Sequence, residues 1–129
     1  MGGARAAVSD GIVYTHSTLG FSVTLPSRWA EQCRISESPD GVAFVNIRNE
    51  EAMGDGLLFA IQVHSEEPEI STKYAELFIS DGKYIYAVYP GDVTWAYDDP
   101  VLSKEYNDMY NAIEGILKTF RYDASTALE

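Results

Sequence analysis

At 129 residues the chain has room for one domain and one core, with about two-thirds of its unfolded surface buried on folding. Hydrophobic residues at 46% against 22% charged are a globular balance, and a formal charge of −11, from 20 acidic and 9 basic residues, argues against nucleic acid and anionic lipid as partners. No apolar run approaches the ~20 residues that span a bilayer, and a single cysteine, Cys33, allows no intrachain disulfide.

In chain order, residues 1–10 are small and polar and read as a tail or cloning remnant; Met1–Ala7 has no apolar stretch of the kind a signal peptide needs. Gly11–His16 reads as a first strand and Thr18-Leu19-Gly20 as a turn. Phe21–Leu25 alternates apolar and polar, as a strand buried on one face does, and Pro26 ends it. Ser27 is placed to cap a short helical turn running towards Gln32. Cys33–Ser36 returns as a strand, and Ser38-Pro39-Asp40-Gly41 is a hairpin turn with a glycine able to take the left-handed conformation. Val42–Arg48 is its partner strand, and 49–56 reads as a polar connection. Leu57–His64 is a nearly continuous apolar strand.

Tyr74, Leu77 and Phe78 have helical spacing, so 71–80 is expected to be a helix closed by Asp81-Gly82. Tyr84–Tyr89 is a strand that stops at Pro90-Gly91. Asp99 then caps a helix with Pro100 at its first position, where a missing N–H costs nothing. Leu102, Tyr106, Met109, Ile113, Ile116, Leu117 and Phe120 form its apolar stripe over about five to six turns. Lys118 and Arg121 complement the dipole at its end. Hairpin turns argue for antiparallel pairing, and two strands apolar at nearly every position argue for helices on both faces. The predicted architecture is α+β: an α/β/α sandwich with a mainly antiparallel central sheet and a long C-terminal helix. It is a single domain over 11–122, followed by a tail over 123–129.

The stretch Leu19-Gly20-Phe21-Ser22-Val23-Thr24-Leu25-Pro26-Ser27-Arg28-Trp29 resembles the strand–Pro–Trp opening of PsbP-like domains. The closing Ile116–Arg121 resembles their final helix, and Tyr86–Val93 is closest to small secreted or lipid-anchored proteins of Gram-positive bacteria. The resemblance spans roughly residues 12–122. It implies an α/β/α sandwich, an extracytoplasmic location and a non-enzymatic accessory or binding role. The basic docking surface of photosynthetic members has no counterpart in this acidic chain.

His16 and His64 are the only histidines. A hydrolytic set built on Cys33 or His64 with acidic residues is the enzymatic alternative, but no local motif supports a triad and no catalytic residue is assigned. Asp92, Asp98, Asp99, Glu105 and Asp108 form one acidic cluster, and Glu50, Glu51 and Asp55 another. Neither has calcium-loop spacing, so both read as solvated surface and no metal or cofactor is expected. The aromatic residues around Pro90-Gly91 are the better candidates, because such rings stack on sugars and anchor protein partners. Tyr84, Tyr86 and Tyr89 read mainly as strand core, with Tyr89 bordering the loop. The candidate binding set is Tyr89, Asp92, Trp95, Tyr97 and Asp98, on a loop 90–99 held at one side by the Asp99-Pro100 helix start. The expected function is a binding or adaptor domain for a protein or cell-wall component. A purely structural or dimerising module is the remaining alternative.

Overall fold

The computed structural model describes residues 11–80 and 82–126. Residues 1–10 of the expected N-terminal tail, Asp81 of the expected helix end, and 127–129 of the expected C-terminal tail lie outside the described residues. The elements run β1 (Gly11–Thr15), β2 (Phe21–Pro26), α1 (Trp29–Gln32), β3 (Cys33–Ser38), β4 (Gly41–Asn46), α2 (Ile47–Met53), β5 (Leu57–His64), β6 (Tyr74–Ser80), β7 (Lys83–Val88), α3 (Pro100–Leu117) and β8 (Arg121–Tyr122). The α+β class, the antiparallel pairing and the long C-terminal helix are all present. The strands fall into two sheets: a three-stranded one in the order β1-β2-β8 and a five-stranded one in the order β3-β4-β5-β7-β6.

The core lies where α3 and the small sheet cover one face of the large sheet. Register puts Val42, Phe44, Phe59, Ile61, Ile85 and Ala87 on that face. They pack in one cluster with Phe21, Val23 and Leu25 of β2 and with Tyr106, Met109, Ile113 and Ile116 of α3. The 3.6-residue stripe read in the helix is therefore its buried side. On the other face sits Tyr86, also buried. The 65–73 connection passes close by: β5 ends at His64 beside Tyr84, β6 starts at Tyr74 beside Val88, and the Glu67 carboxylate helps raise the Tyr86 pKa behind burial and Glu76.

Several local expectations change. Residues 74–80 form a strand, not a helix. A bulge between Glu76 and Phe78 sets Leu77 and Phe78 side by side, which breaks the two-residue period and mimics helical spacing. β6 and β7 are accordingly joined as a hairpin, since Ser80 pairs with Lys83, and Gly82 lies in the turn just before β7 with φ 72°. Residues 47–53 form helix α2, because Asn46 ends β4 and its side chain accepts the Asn49 N–H at 3.0 Å. Gly41 is not left-handed; a Cβ there would sit 2.4 Å from the Ile61 carbonyl oxygen, so the close strand approach is what demands glycine. The long helix ends at Leu117, short of Phe120. Thr119 bridges the Ile116 carbonyl (2.6 Å) and the Thr24 N–H (2.7 Å), and Arg121 and Tyr122 then join β2 as β8.

Ser27 contributes to α1 through its carbonyl, which accepts from Ala30 N at 3.1 Å, and not through its hydroxyl. Buried His16 fastens the small sheet to the β3–β4 hairpin. Its Nδ1 accepts from Thr18 N and Leu19 N at 3.1 and 3.2 Å, which leaves Nε2 as the donor towards Ser38 O and Gly41 O at 2.9 and 3.0 Å.

Candidate functional site

Loop 90–99 is anchored at three points. The first is Thr94, 4% exposed, whose hydroxyl meets the Tyr106 hydroxyl at 2.9 Å and the Leu57 carbonyl at 2.8 Å. The Tyr106 hydroxyl donates to the same carbonyl at 2.6 Å, closing a triangle; burial pushes this phenol up to about 12, against the lowering effect of the Thr94 hydroxyl. The second anchor is Asn49 of α2, fully buried, whose Oδ1 accepts the Ala96 N–H at 2.7 Å while its Nδ2 donates to Leu102 O at 3.1 Å. The third is the Asp99 carboxylate, which accepts from Val101 N and Leu102 N at 3.0 and 3.2 Å, as the sequence predicts.

Between these anchors the loop and α3 enclose a cleft of about 370 Å³, lined by Pro90–Val93, Trp95, Tyr106, Asn107 and Tyr110. Its wall is an aromatic ladder. Trp95 stacks on Tyr106 with centroids 4.9 Å apart and planes at 18°, and Tyr106 continues onto Tyr110 at 6.0 Å and 20°. Tyr110 meets Tyr89 edge-on at 5.7 Å, and Lys73 Nζ lies 4.5 Å above the Tyr89 ring.

Of the five predicted site residues, Asp92 and Trp95 line this cleft. Tyr97 is 73% exposed and Asp98 is exposed; both stand outside the cleft on the same loop. Tyr89 is buried, as core was the main expectation for it, and reaches solvent only as part of the wall of a neighbouring cleft of about 460 Å³, which shares Tyr110. Sequence reasoning missed Asn107 and Tyr110, which lie one turn apart on the helix, and the buried polar residues Asn49 and Thr94. The Asn46–Asn49 spacing of a helix cap was the available signal for Asn49; Thr94 left none.

Register keeps Cys33 and His64 apart. Cys33 pairs with Asn46 at one end of β4, while His64 lies beyond Gln62, the partner of Gly41 at the other end. That separation is on the order of 23 Å along the strand. Burial pushes the Cys33 thiol up to about 12, outweighing the lowering influences of the Val45 backbone and Arg34. The native protein is therefore expected to react with a chromogenic disulfide reagent at pH 8 far more slowly than the guanidinium-unfolded chain; equal rates would refute the burial. In the acidic clusters, Glu50 pairs with Arg34 at 2.6 Å, Glu105 with Arg48 at 3.0 Å and Asp108 with Lys104 at 2.8 Å. Among the described residues no group of three or more His, Cys, Asp or Glu side chains is placed to hold a metal ion, and no helix is long and apolar enough to cross a membrane. No family model, curated protein or solved structure matches the chain.

Proposed function

We propose that this chain is a non-enzymatic binding or adaptor domain that engages a protein segment or cell-wall glycan through loop 90–99. The observation that supports it best is the cleft beside Trp95: aromatic faces on a loop pinned at Thr94, Ala96 and Asp99, with Asp92 and Asn107 at hand for polar contacts. Stacked rings beside planar amide and carboxylate groups suit a pyranose ring or an aromatic side chain of a partner. Exposed Tyr97, with Val93 and Val101 also exposed near it in sequence, would widen the contact beyond the cleft. The resemblance to PsbP-like domains points to the same non-enzymatic role and to an extracytoplasmic setting.

The test uses the Trp29→Phe protein, in which Trp95 is the sole indole. Soluble peptidoglycan fragments, and separately a cross-linked envelope-protein extract, are presented to it. Binding should shift Trp95 emission and release calorimetric heat, and by calorimetry Trp95→Ala or Tyr97→Ala should weaken it by about tenfold, the usual effect of removing an aromatic anchor. Affinity indifferent to both substitutions would remove this loop from consideration.

A further inference from the structure

A larger cleft lies elsewhere. It occupies about 540 Å³ between α1 and the first half of α3, and shares no lining residue with the loop cleft. Trp29 and Met109, each 2% exposed, form its floor, and Pro26, Pro100, Val101 and Ala112 present its apolar surface. The volume falls within the usual range for small-molecule sites.

Charge in this cleft runs against the chain as a whole. Its two carboxylates are already held: Glu105 by Arg48 and by the Asn46 amide (2.9 Å), Asp108 by Lys104. The fourth charged residue of the lining is Arg28, which is exposed, and among the described residues its guanidinium has no hydrogen bond or ion pair. In a protein of net charge −11, a free guanidinium beside an apolar cleft is the local exception. A second polar group in the same lining is also unsatisfied: the Gln32 side-chain Oε1 is buried with no hydrogen-bond partner. Buried acceptors are normally paired, so this amide lacks a donor.

We infer that the α1–α3 cleft binds a small amphipathic carboxylate: an apolar body against Pro26, Pro100, Val101 and Ala112 above the Trp29–Met109 floor, a carboxylate on the Arg28 fork, and a hydrogen-bond donor for the Gln32 amide once its side chain turns Oε1 into the cleft. A guanidinium recognises a carboxylate through two parallel hydrogen bonds, which a lysine cannot reproduce. The −11 field disfavours anions in general, so selectivity arises from the match of one negative charge to Arg28 with the apolar body behind it.

The two tryptophans report the two clefts separately, Trp29 here and Trp95 in the loop. The experiment titrates N-octanoylglycine, which carries an acyl chain, an amide N–H and a carboxylate, into Trp95→Phe protein, reading Trp29 emission and calorimetric heat. Saturable binding is expected. Arg28→Glu should weaken it by about tenfold or more, and Arg28→Lys by less, because it keeps the charge but loses the fork. The methyl ester, lacking the charge, should bind the parent and Arg28→Glu alike. Arg28 is exposed and unpaired, so the variants should retain the parent's unfolding midpoint. Absence of saturable binding at millimolar probe, or equal affinity in the parent and Arg28→Glu, overturns the assignment.

Discussion

Phe59→Ala is expected to destabilise the fold by about 4 kcal/mol, a large part of the 5–15 kcal/mol that holds a domain of this size together. Phe59 is fully buried. It stands directly opposite Phe44 across the β4–β5 pairing, with ring centroids 4.6 Å apart and planes at 12°. Tyr14 of the small sheet meets Phe44 edge-on at 5.7 Å, so this stack is one of the places where the two sheets touch. Truncation removes the transfer energy of the ring and leaves a cavity that strands on both sides keep from collapsing. Phe59→Leu, which keeps most of the volume, should cost no more than about 1.5 kcal/mol. Urea unfolding measures both, and the dependence on denaturant should keep its slope if the loss is in the native core. Phe44→Ala combined with Phe59→Ala should cost less than the sum of the two, since either one alone already abolishes the stack. A cost below about 1 kcal/mol for Phe59→Ala would mean the sheets are not held together through this layer.

The distinction between what the sequence reveals and what it hides follows from the range of each interaction. Elements carried by one uninterrupted period were legible: the alternation in Phe21–Leu25, the apolar run of Leu57–His64, and the Asp99-Pro100 start of the helix whose stripe became the core. Failures occurred where period or partner was non-local. In β6 an extra residue at the bulge shifted the phase, and nothing in Tyr74–Ser80 itself records that β7 imposes it. In α2 the cap Asn46 sits at the end of an apolar strand and was absorbed into it. β8 is two residues long, too short for any period, and exists because Thr119 ties the helix end to Thr24. For the site, composition pointed to Trp95 and Tyr97 because aromatic residues in a loop after Pro-Gly are conspicuous. The residues that shape the cleft from behind were silent: Tyr106 and Tyr110 look like ordinary helix positions, and Thr94 is one threonine among many. The α1–α3 cleft was wholly hidden, because it depends on which carboxylates find cations and which cation is left over.

Asn49→Ala should be among the more damaging polar substitutions, at about 2–4 kcal/mol, and should disturb the loop cleft in particular. Its side chain is fully buried and joins three segments: Asn46 at the end of β4, Leu102 in the first turn of α3, and Ala96 in the loop. Alanine leaves the half-buried Ala96 N–H without its acceptor and removes a donor from the Leu102 carbonyl; each buried group left unpaired costs about 1–3 kcal/mol. Thr94 would still hold its side of the loop through Leu57 and Tyr106, so the release should be confined to the Trp95–Asp99 half. Hydrogen exchange at Ala96 should accelerate much more than exchange in β5, and Trp95 emission should shift to the red as its stacking on Tyr106 loosens. Asn49→Asp separates the roles of the amide. It keeps an acceptor for Ala96 N–H but sets a carboxylate beside the Leu102 carbonyl oxygen and Asn46 Oδ1, both acceptors. Burial and these oxygens favour the protonated acid, so the folded pKa lies above the unfolded value of about 3.9. The folded state then binds more protons, and stability relative to the parent must fall as pH rises through and above that value. Asn49→Asp should accordingly be nearest the parent in acid and furthest from it at neutral pH. A stability difference flat across that range would show that the amide does not face acceptors, and that the loop is held by something other than Asn49.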